Sequence, residues 1–272
     1  MAIQDRLAAK SSGAGHERSS ITTWGLPEAG IAWITSTFIG SALFVLAIQS
    51  GGFSTLTSDN IGGHFGQAAG QLASGQELSS NAVPVALQLS LLFPGWILLL
   101  GTAWVIAAVL KRDRPGWSLR GKWTDVPLGV FTGLVLQVPI LTIVVLLMEL
   151  IFGEIEPTGR AQALVDGASS SNLVLVLLIV CVAIGAPIVE ELFYRGLVQP
   201  ALIRATNVPV GIGIASLIFG AVHFALVELI PLSVVGLAFG LLAHRTGRLV
   251  PAIVAHITFN AFTLSALLFG LA

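Results

Sequence analysis

The chain has 272 residues, of which 10% are charged and 55% are hydrophobic, and its formal net charge is -1. A soluble domain carries about 25% charged residues, so this composition excludes one large soluble core and predicts an all-α membrane protein with several spans. The small net charge offers no basic surface for nucleic acid, and no nucleic-acid partner is expected.

Residues 1–29 are polar with mixed charges, and we interpret them as a flexible cytoplasmic tail. The tail is too long and too mixed for the start of a signal peptide, so the first span is expected to be retained. About twenty apolar residues cross a bilayer as a helix, which makes the sixth of the following apolar segments short for a span. A loop rich in Gly, Ser and Gln lies at 51–83. The seven predicted spans are 30–49, 84–110, 126–152, 172–194, 209–228, 231–244 and 249–270.

The positive charges support this topology. If the tail is cytoplasmic, the inner segments hold twelve of the thirteen Lys and Arg residues, and the outer segments hold only Arg160. Lys and Arg resist translocation, so such a segregation favours seven spans in the plasma or inner membrane. The amino terminus would then lie inside and the carboxyl terminus outside, with Arg195 at the cytoplasmic edge of the fourth span.

The fourth span contains two adjacent carboxylates, Glu190 and Glu191. Ionisable residues inside spans are costly, so they are candidates for a functional site. Adjacent helical residues point about 100° apart, whereas Glu191 and Arg195 are spaced i,i+4 and can pair. The spacing therefore indicates Glu191 as the structural carboxylate and Glu190 as the reactive one, suited to act as a general base. Alternatively, both lie among the lipid headgroups with Arg195 reaching water. Cys181, the single cysteine, is interpreted as a small buried side chain.

Three further polar residues lie in later spans: His223 in the fifth, and His256 and Asn260 in the seventh. His256 and Asn260 are spaced i,i+4 and share a face. With Glu190 they could bring a base, two imidazoles and an amide donor to one cavity, as a peptidase requires. Each of them alone could instead be a hydrogen-bonding residue between helices.

The depths of these residues conflict in this topology. Counted from Arg195, Glu190 would lie about 7 Å deep, whereas His223 counted from Pro209 would lie about 21 Å deep. The two could meet if the fifth helix begins outside the hydrocarbon or is strongly tilted.

Three ordered motifs carry a resemblance to a known family. They are Glu190-Glu191-x-x-x-Arg195, Phe219-x-x-x-His223 and His256-x-x-x-Asn260. Over about residues 180–262 the chain resembles the CPBP family, also called Abi, which groups type II CAAX prenyl endopeptidases with bacteriocin-processing proteins.

The resemblance implies an intramembrane endopeptidase that cleaves membrane-associated proteins or peptides. It implies that Glu190 activates water with His223, that His256 and Asn260 stabilise the oxyanion, and that Glu191 and Arg195 support the site. We accordingly divide the chain into the tail, a three-span region at 30–152 and a catalytic four-span region at 153–272.

The family is often labelled as metalloproteases, and a metal-free glutamate mechanism is also proposed for it. Zinc, if bound, would take Glu190, His223 and His256 as ligands, since two His and one Glu form a known catalytic set. These residues lie on three helices without an HExxH run, and Glu191 would have to act as the base despite facing Arg195. We therefore favour a mechanism that requires no cofactor.

Two other classes of function were weighed. A proton-coupled transporter would use buried carboxylates and histidines, but inverted repeats with broken helices are not apparent. A non-catalytic immunity or binding scaffold has no need of four converging polar groups. Gly236-x-x-x-Gly240 permits close helix packing, which we interpret as packing within one subunit, so a homo-oligomer is not expected.

The topology can be tested by cysteine-accessibility labelling in intact cells. Because Lys and Arg stay inside, we expect a cysteine at position 60 to react with an impermeant reagent and one at position 116 to be protected. Labelling of 116 and protection of 60 would contradict the seven-span topology.

Overall fold

The structure is a computed structural model that describes residues 25–40, 42, 85–106, 108, 117–155, 159–169, 171–223 and 225–271. Most of the predicted tail and the loop 51–83 lie outside the described residues, as do positions 60 and 116. Every regular element in the described ranges is helical. The helices are α1 (Leu26–Ile34, continued by a π-helical turn at Thr35–Ile39), α2 (Val85–Val105), α3 (Asp125–Phe152), α4 (Gly159–Ala168), α5 (Asn172–Ala205), α6 (Val208–Ala221), α7 (Leu226–Thr246) and α8 (Val250–Leu268).

Four of these helices, α3, α5, α7 and α8, are long and apolar enough to cross a membrane. The helix α6 and the segment Leu92–Val105 of α2 are apolar but shorter. The predicted all-α membrane bundle is thereby confirmed. The number of seven spans, the orientation and the division into regions stay predictions.

The ends of the helices differ from the predicted spans. The fourth span was expected to end at 194, but α5 continues to Ala205. Arg195, which the sequence placed at the cytoplasmic edge, lies inside α5 and is 4% exposed. A paired guanidinium does not need to reach water, so the residue does not have to mark the end of a span. The short sixth segment is the middle of α7, which has 21 residues and begins at Leu226.

The amphipathic helix α4 was not predicted. It packs against α2, α5 and α8 through Val165 and Ala168, which are buried in one cluster with Leu178 and Leu267. It is too short and too polar for a span, so a search for apolar runs does not find it.

Prolines accompany the π-helical turns of α3 and α5. In α3, Pro139 lies within the π-helical turn Leu136–Ile140. In α5, Pro187 follows the turn Ile179–Gly185, and Pro200 follows the turn Glu191–Val198. Proline has no N–H, so it leaves a carbonyl without its helical donor. Such turns are frequent at functional sites, because they redirect side chains and free backbone groups.

Two glycines of α3 determine how closely this helix packs against α8. A Cβ added to Gly133 would lie 2.5 Å from the carbonyl oxygen of Ala255, and one added to Gly129 would lie 2.8 Å from that of Pro251. Small residues spaced i,i+4 let two membrane helices approach closely. This contact holds α8, the helix that carries His256.

Gly133→Ala is therefore expected to destabilise the protein by about 1–3 kcal/mol, since overpacking a tight contact forces backbone shifts. Thermal unfolding in detergent would measure this effect. Gly30→Ala is the matched control, because nothing lies within 4 Å of its added Cβ. Equal melting of both variants would show that the Gly133 contact does not constrain α8.

Candidate active site

Glu190 and His223 lie at similar distances along the chain from the turn that joins α5 to α6. Because α5 ends at Ala205, Glu190 lies about 22 Å from the end of its helix at 1.5 Å per residue. His223 lies in the turn after α6 and about 22 Å from Val208, by the same count. The difference in depth expected from the sequence depended on placing the membrane edge at Arg195, and counting from the helix ends removes it.

The side chain of Glu191 is the centre of the polar cluster and is fully buried. Its Oε1 accepts a hydrogen bond from Arg195 Nη1 at 3.0 Å, which is the predicted i,i+4 pair. The same oxygen lies 3.0 Å from His256 Nδ1. Glu191 Oε2 has no partner among the described residues. One carboxylate thus links α5 to α8.

The charged side chain of Arg195 is buried. Its Nη2 donates to the carbonyl oxygen of Gly236 at 3.0 Å, and its guanidinium lies over the ring of Phe219 at 4.3 Å. A buried charge is tolerated when it is paired, hydrogen-bonded and stacked on an aromatic ring. Gly236 allows this approach, because a Cβ there would lie 3.1 Å from Phe219 and 3.4 Å from Arg195 Nη2. The Gly236 face is therefore occupied within this chain, as the sequence favoured.

His256 lies between the two adjacent carboxylates. Since Glu191 Oε1 already accepts from Arg195, we assign the hydrogen of the 3.0 Å contact to His256 Nδ1. The other nitrogen, Nε2, is 3.9 Å from Glu190 Oε2. The ring is tilted against Phe239 with centroids 4.8 Å apart. The Glu190 side chain is 26% exposed and that of Glu191 0%, so Glu190 is the carboxylate that solvent reaches.

Asn260 is held by a backbone group that a proline leaves unpaired. Its Nδ2 donates to the carbonyl oxygen of Val182 at 2.8 Å. In α5, the N–H of Ala186 donates to Cys181, and Pro187 has none to donate. The carbonyl of Val182 therefore lacks both its α-helical and its π-helical donor. The second N–H of Asn260 has no acceptor among the described residues, so it can donate to a ligand.

His223 is fixed through Phe219. Its Nδ1 lies 2.8 Å from the carbonyl oxygen of Phe219. The Phe219 ring is 1% exposed and lies edge-on to both imidazoles, at 5.3 Å from His223 and 5.7 Å from His256. The buried ring of Phe219 therefore lies between two histidines, of which His223 is half-buried and His256 is buried.

The candidate zinc ligands are not grouped as a metal site. In the described part of the chain, no three His, Cys, Asp or Glu side chains are arranged to hold a metal ion. Glu190, His223 and His256 are thus not a ready ligand set, and His256 has one nitrogen already engaged by Glu191.

The sequence did not indicate an ion pair between Asp125 and Arg248. Arg248 donates from Nε and Nη2 to the two oxygens of the buried Asp125, at 2.9 and 2.5 Å. The N–H of Lys122 also donates to Asp125, at 2.8 Å. The carboxylate raises the pKa of Arg248 through this hydrogen bond. The pair ties the start of α3 to the start of α8. The only local signal in the sequence was that Asp125 directly precedes a predicted span, and this position does not identify the cation with which it pairs.

Comparison with known proteins agrees with the motifs. Residues 172–262 match the family model described as "Type II CAAX prenyl endopeptidase Rce1-like", and this range contains Glu190, His223, His256 and Asn260. The chain is 33% identical over 112 residues to the "Putative membrane peptidase YdiL" of Bacillus subtilis (strain 168). That match covers 41% of this chain and 44% of the relative, so the chain spans less than half of the relative's length. No solved structure matches the chain significantly. Both matches are described as peptidases, which agrees with the resemblance that the three motifs carry.

The buried pair leads to a prediction about Arg195. Arg195→Ala would leave Glu191 buried without its cation, at a cost of about 3–5 kcal/mol. We expect a lower melting temperature in detergent, together with lower activity. Arg245→Ala is the control, since Arg245 is exposed and its loss should leave melting unchanged. Unchanged melting with lost activity in Arg195→Ala would instead assign the residue to substrate binding.

Proposed function

We propose that this protein is an intramembrane endopeptidase in which Glu190 activates the attacking water. The observation that carries the proposal is the cluster of Glu190, Glu191 and His256, which lies within the region matched by the endopeptidase family. Costly buried charges in membrane helices are retained where they serve a site. A solvent-accessible carboxylate beside a fixed imidazole is the arrangement that hydrolysis of a peptide bond needs.

Glu190 is the general base in this mechanism. Its carboxylate is the accessible one of the adjacent pair, whereas Glu191 is engaged by Arg195 and His256. Glu190 takes a proton from water as the oxygen attacks the scissile carbonyl, and it then delivers that proton to the leaving amine. His223 orients the water in this mechanism, as the motif Phe219-x-x-x-His223 implies, and its imidazole is held in place by the contact of Nδ1 with the Phe219 carbonyl.

His256 and Asn260 stabilise the oxyanion. The Nδ2 of Asn260 has a second N–H beyond its bond to Val182, and Nε2 of His256 faces the site. A donor at Nε2 requires a proton on both nitrogens of His256. Donors fixed in advance of the reaction are the most effective form of such stabilisation.

Substrates are membrane-associated proteins or peptides that unfold locally at the site. The backbone of a helix is fully hydrogen-bonded, so a peptide bond must leave the helix before water can attack it. The proposed partners are therefore the lipid bilayer and one such substrate chain. The likeness to CAAX endopeptidases supports cleavage near the membrane surface or within it.

The proposed mechanism uses no metal ion. It is supported by the arrangement of Glu190, His223 and His256, which are not grouped as ligands, and by the commitment of Glu191 to Arg195.

The general base is tested by Glu190→Gln, which keeps the shape of the side chain and removes its ability to accept a proton. General-base catalysis contributes about 10²–10⁴-fold, so turnover should fall by at least that order. Cleavage of a detergent-solubilised peptide library, followed by mass spectrometry, measures the loss. Glu154→Gln, at an exposed carboxylate, is the matched control. Near-normal turnover in Glu190→Gln would remove Glu190 from the mechanism.

Metal dependence is tested by elemental analysis of the active protein after exhaustive chelation. We expect full activity without zinc. Asn260→Ala should lower turnover by about 10²–10³-fold, as the loss of an oxyanion donor does, and leave KM nearly unchanged. One equivalent of zinc that is lost together with activity, and restores activity on return, would overturn the metal-free mechanism.

A further inference from the structure

A second polar contact between α3 and α8 lies beyond the candidate active site. The hydroxyl of Thr263 on α8 lies 3.1 Å from Gln137 Oε1 in the π-helical turn of α3. It also lies 3.1 Å from the carbonyl oxygen of Phe259, a residue of its own helix. Both side chains are half-buried, so they border accessible space within membrane-spanning helices.

Thr263 continues the row of side chains that forms the site. His256, Asn260 and Thr263 are spaced i, i+4 and i+7, so they share one face of α8. Seven residues of helix separate Thr263 from His256, which is about 10 Å along the axis. The Gln137–Thr263 contact is therefore an extension of the site toward the carboxyl end of α8.

The carboxamide of Gln137 is only partly satisfied. Its contact with Thr263 is its one hydrogen bond among the described residues. Whichever way the amide group is oriented, at least one of its N–H groups has no acceptor in this part of the chain. In the hydrocarbon region of a membrane an unpaired amide is costly, and water is scarce. A substrate carbonyl would satisfy it.

We propose that Gln137 and Thr263 form a subsite that binds the backbone of the substrate about three residues from the scissile bond. An extended peptide advances about 3.3 Å per residue, so three residues cover the distance from His256. The substrate must be extended there, and its freed carbonyl needs a donor, which the Gln137 amide supplies. This inference rests on the proposed peptidase function and adds positioning residues to it.

The test uses the purified full chain in detergent and quenched fluorescent peptides of decreasing length. The peptides come from a sequence that the wild-type protein cleaves, shortened stepwise from each end toward the cut. Gln137→Leu and Thr263→Val remove the polar groups with little change in volume. Thr142→Val is the matched control, because Thr142 is an exposed residue of α3 whose hydroxyl, in the described part of the chain, bonds only to Val138 of its own helix. Gln137→Asn is a second control, since it keeps the amide but shortens its reach.

One hydrogen bond is worth about 0.5–1.5 kcal/mol, which corresponds to a rise in KM of roughly 2- to 12-fold. We expect this rise in both variants for long peptides, with kcat within about twofold of wild type. For peptides shortened to two residues from the cut on one side, KM should be equal in the variants, the control and the wild-type protein.

Three other outcomes would overturn the inference. Unchanged KM for long peptides, or an equal rise for long and short ones, would remove the subsite while leaving the peptidase function intact. A fall in kcat with unchanged KM would assign the pair to the folding of α3 and α8 or to the chemical step. The absence of any cleavage by the wild-type protein would reject the proposed function itself, and the subsite with it.

Discussion

The fully buried carboxylate of Glu191 is the group on which the arrangement of the bundle depends. A charge in this position is stable only if donors surround it, and these come from Arg195 on α5 and from His256 on α8. Arg195 in turn bonds to Gly236 on α7. One carboxylate therefore connects three helices. If α7 or α8 moved, the buried ion pair would lose a hydrogen-bond partner in a medium of low dielectric.

Backbone hydrogen bonding imposes a second constraint in the same region. Proline and π-helical turns in α5 leave the carbonyl of Val182 without a helical donor, and Asn260 supplies one. Gln199 likewise donates to Gly240 at 3.0 Å, one turn beyond the contact of Arg195 with Gly236. Polar side chains near the site thus donate hydrogen bonds to backbone carbonyls of neighbouring helices. We therefore expect substitutions here to affect stability and catalysis together.

Glycines allow the helices that carry these contacts to approach one another closely. Gly129 and Gly133 bring α3 against α8, and the Asp125–Arg248 pair ties the two helices at their first residues. The position of α8 is thereby fixed independently of the polar cluster that it carries. A site built on helices held at two separate places keeps its donors in position before a substrate arrives.

The sequence by itself determined what depends on composition and on neighbours along one helix. It specified an all-α membrane protein, the i,i+4 pair of Glu191 with Arg195, the shared face of His256 and Asn260, and the motifs of the family. Only the tertiary structure decided that His256 contacts Glu191, 65 residues away, and that Asn260 bonds to Val182, 78 residues away. Periodicity fixes which residues share a face, but the partner of that face depends on helix tilt, on π-helical turns and on glycine contacts between distant segments. The end of α5 escaped prediction for the same reason, because the cation that appeared to mark it is neutralised inside the bundle.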